Sequence, residues 1–277
     1  MLLLHRPSGA GSGRGAAGQR RRMQIPPDDP RLTPLHLRRE LIAYGESDRT
    51  LAAALRTGRL ERPRRGAYVD GPTWRTMSDE QRYAVRCRAA YQQSCTDVVL
   101  SHSSALPFHD APLWGGLDLA DVHLTRVDRF SGRREAGICR HRGELAEGDV
   151  VDVHGVLVTS PVRATLELST LASTESAIAV ANHFLNRGDF TPPAELRERY
   201  EQSMANWPGS AATDLLIRLA DPRVESVGES RTMYFLYRHH FPKPVPQYEI
   251  RTRGGGWSRA STSRSRNSAS GSSSTAG

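Results

Sequence analysis

Two glycines, Gly45 and Gly58, and the PRRG turn at Pro63–Gly66 limit what the first third of this chain can become. The stretch TPLHLRRELIAYG places Leu37, Leu41 and Ile42 on one helical stripe, with Gly45 as its stop. ESDRTLAAALRTG follows, with Ser47 or Asp48 as N-cap, Leu51, Ala54 and Leu55 inward, and Gly58 as the second stop. RLERPRRGAYV then offers two short extended pieces about a basic turn. Two helices joined tightly and followed by a basic hairpin predict a winged helix-turn-helix over residues 31–75. Such modules set the second helix in the major groove and the wing against phosphate or the minor groove. Ser47, Arg49, Thr50, Arg56 and Thr57 are therefore candidate groove-side residues, and Arg62, Arg64 and Arg65 are wing candidates. The competing expectation is a solvated helical hairpin packed on its neighbour.

Charge has to be placed before it supports that reading. The net charge is +8, but residues 1–22 carry five arginines and no acid, and residues 251–277 carry five more and no acid. Removing those ten leaves about −2 for residues 23–250. The basic balance thus belongs to the two ends and says little about what the body binds. Arg31 to Asp70 is the exception, with nine arginines against five acids. The three cysteines, Cys87, Cys95 and Cys139, lack paired or metal-ligand spacing, which predicts a reduced, cytoplasmic setting. No stretch approaches the roughly 20 apolar residues of a membrane span, and MLLL is too short for a signal-peptide core.

Residues 1–30 are rich in Gly, Arg and Pro and read as disordered, with Met23 a plausible start. Residues 76–220 read as a mixed α/β domain, so the fold class expected is α/β (α+β). SDEQRYAVRCRAAYQQ is a helix capped at Ser78; Val98–Leu100 is a strand, followed by a helix capped at Ser101 or Ser103. DVHLTR, GICRHRG, DVVDVHG and VLVTSP are strands, and four amphipathic stretches from Val162 to Asp221 are helices.

Histidines recur from His102 to His240, but none shows His-x3-His or Cys-x2-Cys spacing, so no metal site is expected. SHSSA lacks the Gly-x-Ser-x-Gly elbow of a serine nucleophile, and no Gly-rich phosphate loop or other cofactor motif is present. From Asp221 to Ile250 a helix bears Glu225 and Glu229 four apart, and HHFPKPVPQYEI turns into a strand. A glutamate on a helix followed by a hairpin is the layout of restriction-like nucleases, whose several acids hold Mg²⁺. A surface helix with ordinary salt bridges is the competing expectation.

The ordered set GESDRTLAAALRTGRLERPRRGAYV, VVLSHSSALPFH, DVHLTR, GVLVTSPVRATLEL and ESRTMYFL…PKPVPQ resembles the AbiEi-type antitoxin-like proteins from about Thr33 to Ile250. The resemblance implies a winged-helix domain on operator DNA, autoregulating its own transcription, and a middle domain that counters a nucleotidyltransferase-like toxin. It further implies a C-terminal segment similar to very-short-patch-repair-like endonucleases, in which Glu229 matches the first acid. Glu167 stands where the family more usually has aspartate, and the acids expected after Gly256 are missing.

That absence has a frame-dependent reading. Written in GC-rich codons, WSRASTSRSRN becomes, two bases on, Val-Ala-Arg-Val-Asp-Phe-Ala-Phe-Pro-Glu-Phe, which resembles the missing strand. The expectation is that residues 251–277 are a frameshifted, disordered tail and residues 221–250 an incomplete endonuclease-like segment. One acid cannot hold a metal pair, so no catalytic residue and no enzyme activity are expected, Glu229 being vestigial. The alternative function is a restriction-like endonuclease inactivated by that truncation.

Overall fold

The computed structural model describes residues 25–127, 133–189, 194–204 and 207–247, together with the strand backbones of Glu249–Arg251, Trp257–Arg259 and Arg264–Ser265. The fold is α/β, with helices and a mixed sheet. Its first layer holds β1 (His36–Leu37), α1 (Arg38–Ala43), α2 (Asp48–Arg56), β2 (Leu60–Arg64), β3 (Ala67–Asp70) and α3 (Gly71–Thr76). The strands form an antiparallel sheet in the order β1-β3-β2.

Local chemistry accounts for these breaks. Gly45 and Gly58 take φ of +97° and +68°, the left-handed conformation that ends each helix at little cost. A two-residue turn, Arg65–Gly66, joins β2 to β3, with Gly66 at φ +78°. The register slips between Glu61 and Arg64, where Pro63 has no N–H to give the ladder. At Gly71 the need is space: a Cβ there would lie 2.0 Å from the Gly58 carbonyl oxygen.

Helix α4 (Asp79–Gln93) is capped by Ser78, whose hydroxyl accepts from the Gln81 N–H. Its two faces serve two cores. Val85 packs with Val69 and Met77, and Ala89 with Leu37 and Ala67, while Tyr83, Cys87 and Ala90 enter the main core. The boundary expected at residue 75 therefore has a shared helix across it.

The main sheet runs β6-β7-β5-β4-β9-β8, from β4 (Val98–Leu100), β5 (Val122–Arg126), β6 (Arg133–Glu135), β7 (Ile138–Arg142), β8 (Val150–Val153) and β9 (Val156–Thr159). It is mixed: β4 is parallel to β9 and β5 to β7, while β4–β5, β6–β7 and β8–β9 are antiparallel. Helices α5 (Pro161–Leu171), α6 (Thr174–Arg187), α7 (Ala194–Ser203), α8 (Ser210–Leu219) and α9 (Val227–Arg238) complete the body. From Ser176 to Asn182, α6 is buried all round, as expected of a helix at the centre of a helical layer. Asn182 ties α9 to that layer, its amide donating to Ser230 Oγ at 3.0 Å and its carbonyl accepting from the Asp221 N–H at 2.8 Å.

Several expectations are corrected here. Residues 25–30, expected to be disordered, are seated: Ile25 is buried in the main core and its carbonyl accepts from His154 Nε2 at 2.8 Å. A single apolar residue among prolines is held here with a donor on the body to meet its carbonyl. Residues 1–24 lie outside the described residues. Leu37 belongs to β1 and the N-cap of α1 rather than to a helical stripe, and Ile42 is exposed. Instead of a helix after β4, two 3-10 turns, His102–Ser104 and Leu106–His109, follow with His102 at φ +52°. In the C-terminal tail, β10 (Pro244–Val245) pairs with β13 (Arg264–Ser265), and β11 (Glu249–Arg251) with β12 (Trp257–Arg259). Backbone ladders need no apolar side chains, which is why composition missed these strands. The other tail residues from 252 on lie outside the described ones.

Candidate nucleic-acid interface

Helix α2 buries Leu51 and Ala54 against the small sheet, and this fixes what it shows to solvent. Arg49, Ala52, Ala53 and Arg56 recur at three- and four-residue steps, so they form one outward stripe. Arg49 and Arg56 are exposed at its two ends, and the alanines between leave the backbone approachable. At nine residues the helix is about 13 Å long, enough to lie in a major groove about 12 Å wide.

The candidate hydroxyls have local duties. Ser47 Oγ accepts from the Thr50 N–H at 3.2 Å, and Thr50 Oγ1 accepts from the Ser47 N–H at 2.9 Å and donates to Glu46. Thr57 Oγ1 donates to the Ala53 carbonyl at 3.1 Å at the other end. These three cap α2; their side chains hold the helix ends in place. Arg38 reaches from α1 to Asp48 with two hydrogen bonds of 2.8 and 2.6 Å, setting one helix against the other.

On the hairpin, Arg62 and Arg65 are exposed, and neither side chain enters a hydrogen bond or ion pair among the described residues. Arg64 differs. Its Nε donates to Gln93 Oε1 at 3.1 Å and its Nη1 to the Ala136 carbonyl at 3.0 Å, bracing the hairpin against α4 and the β6–β7 turn. Partial burial, then the neighbouring Arg140, lower its pKa from the ordinary arginine value. Arg64, expected as a wing residue, is thus turned to the body while Arg62 and Arg65 stay exposed; the register slip between Glu61 and Arg64 breaks the alternation that would set Arg62 and Arg64 on one face.

Glu229 sits in the first turn of α9 with both carboxylate oxygens engaged. One accepts from the Glu225 N–H at 2.8 Å and the other from the Gln247 amide at 3.0 Å. It closes the start of its helix and holds the Gln247 turn, and among the described residues no acids gather beside it into a metal-binding group.

The sequence showed no metal spacing, yet the fold gathers His102, His123 and His141, each offering a ring nitrogen within 4.8 Å of the others. They follow β4 and lie on β5 and β7, three adjacent strands, so register rather than spacing brings them together. Beside them Arg163, 1% exposed, donates from Nε to Glu167 at 2.8 Å and from Nη1 to Asp149 at 3.2 Å, over the Trp207 ring. The other Glu167 oxygen accepts from the His102 N–H at 3.1 Å and so supports the left-handed backbone there, which costs about 1–3 kcal/mol. Burial raises the Glu167 pKa, with Arg163 opposing. Burial, with the neighbouring rings, holds His102 well below the ordinary histidine value and His141 at about 4; burial also lowers His123.

No family model and no curated protein matches this chain. Among the described residues no helix is long and apolar enough to cross a membrane.

Proposed function

We propose that this chain is a duplex-DNA-binding regulator of the AbiEi-like winged-helix kind. It seats α2 in the major groove and sets the β2–β3 hairpin against the adjoining backbone. The observation that carries the reading is the outward stripe of α2, Arg49–Ala52/Ala53–Arg56, beside a hairpin whose tip shows Arg62 and Arg65. Arginine forks read guanine edges in the major groove, and alanine methyl groups suit the thymine methyl. Hairpin arginines contact phosphates and fix register without reading sequence. The helix start, capped by Ser47, adds main-chain N–H groups that favour a phosphate.

A mobility-shift assay on the duplex preceding the chain's own coding region tests this, run with excess unrelated DNA. The wild-type shift should survive the competitor. Arg49→Ala with Arg56→Ala should abolish that preference, each lost base contact costing about 1–3 kcal/mol. A shift equally sensitive to competitor in both proteins would remove the groove-reading role. By the same resemblance, the middle domain neutralises a nucleotidyltransferase-like toxin encoded alongside. Co-expression with such a neighbour should restore growth, and continued arrest would leave regulation alone. The engaged carboxylate of Glu229 supports a non-catalytic C-terminal segment, so Mg²⁺ should elicit no cleavage of plasmid DNA.

A further inference from the structure

We infer that His102, His123 and His141 form a three-imidazole site for a borderline divalent transition-metal ion such as Zn²⁺. The site goes beyond the DNA-binding reading and does not depend on it. Three separate segments deliver the rings: the strained turn after β4, the start of β5 and the end of β7. Each delivery is held from behind. The Glu167 carboxylate holds the His102 main chain and lies 3.8 Å from its Nδ1, with Ser101 Oγ 3.0 Å from the same nitrogen. Ser104 Oγ accepts from the His123 N–H at 2.8 Å. His123 pairs in register with Cys139, and Thr125 with His141, so alternation puts His123 and His141 on one sheet face. Orienting groups behind metal-binding imidazoles are the usual construction of such sites.

The arrangement without metal is a stack: His102 lies on His141 with ring centroids 3.8 Å apart, and His123 Nδ1 is 2.8 Å from His141 Nε2. One nitrogen of that last pair must donate and the other accept, so a metal would replace a shared proton. Zn–N bonds of about 2.0–2.1 Å place tetrahedral ligands about 3.3 Å apart, so the 4.8 Å spread must close through ring rotation. The rings must also tilt out of their stack for their lone pairs to converge. Neutral imidazole is the form that binds metal, so binding releases any proton the rings hold. His141 is only half-buried and provides the approach from solvent. Glu167 is not itself a ligand, since its oxygens are held by Arg163 and the His102 N–H. Imidazole ligands without thiolate suit Zn²⁺, Co²⁺ or Ni²⁺ better than a hard cation.

The test uses the full chain, stripped with chelator and titrated with Co²⁺, then with Zn²⁺ as competitor. One ion per chain should bind, with the visible bands of tetrahedral Co²⁺, and Zn²⁺ should raise the thermal midpoint. His123→Phe and, separately, His141→Gln should each weaken binding by more than about 100-fold, the upper end of what losing an outer-shell partner costs. The exposed pair His239 and His240 serves as control, and changing both to Ala should leave binding intact. His141→Gln, at a half-buried ring, keeps the test valid if His123→Phe fails to fold. Absence of stoichiometric binding, binding that survives the folded His141→Gln protein, or binding lost only with His239 and His240 would overturn the assignment.

Discussion

Residues of one type have different duties in this molecule, and burial decides which. Arg62, Arg64 and Arg65 were equivalent in sequence, yet Arg64 braces the hairpin through Gln93 and Ala136 while its neighbours face solvent. Arg64→Ala should therefore cost about 1 kcal/mol of stability in urea unfolding, the worth of an ordinary hydrogen bond. Arg163 is the extreme case. Its side chain neutralises Glu167 and Asp149 inside the body, so Arg163→Ala strands the buried Glu167 carboxylate and leaves Asp149 only its longer ion pair with Arg199. A loss of about 3–5 kcal/mol is expected from the shift of the denaturation midpoint. Only the i,i+4 spacing of Arg163 and Glu167 lies in the sequence; their burial, the Asp149 contact and the gathering of the three histidines are set by the fold and not by spacing. The exposed arginines of α2 were legible, because helical periodicity alone separates them from Leu51 and Ala54.

At the scale of elements, starts and stops were the readable part. Ser78, Gly45 and Gly58 mark boundaries by local chemistry, and the structure places them there. The 3-10 turns after β4 were unreadable, since His102 adopts φ +52° with its N–H held by Glu167, far away in the chain. Gly71 lies in a D-G-P turn signal, but its further role, a close approach of two backbones, was not readable there. Gly71→Ala should push α3 off the Gly58 carbonyl and cost more than the caps do. For the caps, Ser47→Ala removes the acceptor of the Thr50 N–H without touching charge. It should lower stability by about 1 kcal/mol. DNA binding should weaken with it, because the first turn of α2 frays. Unchanged urea midpoints for both variants would mean that these contacts do not set the helix ends.

Across the whole molecule, α4 joins the small layer to the main body. It closes the small layer with Val85 and Ala89 and the large core with Tyr83, Cys87 and Ala90, so neither part buries its apolar surface alone. One cooperative unfolding transition is expected, with tryptophan fluorescence and far-ultraviolet dichroism coinciding; separated transitions would show independent units. Ten arginines outside residues 23–250 produce the basic balance, so net charge does not locate the proposed DNA-binding surface. Those end arginines can bind any polyanion, so bare affinity does not locate the interface. The salt dependence of binding to the cognate duplex does, because each phosphate contact contributes about −0.9 to the slope of log K against log salt. Arg62→Ala with Arg65→Ala should make that slope shallower by about 1.8, and Arg64→Ala should leave it unchanged. An unaltered slope in the folded double variant would put the phosphate contacts on the arginine-rich ends and contradict the α2–hairpin interface.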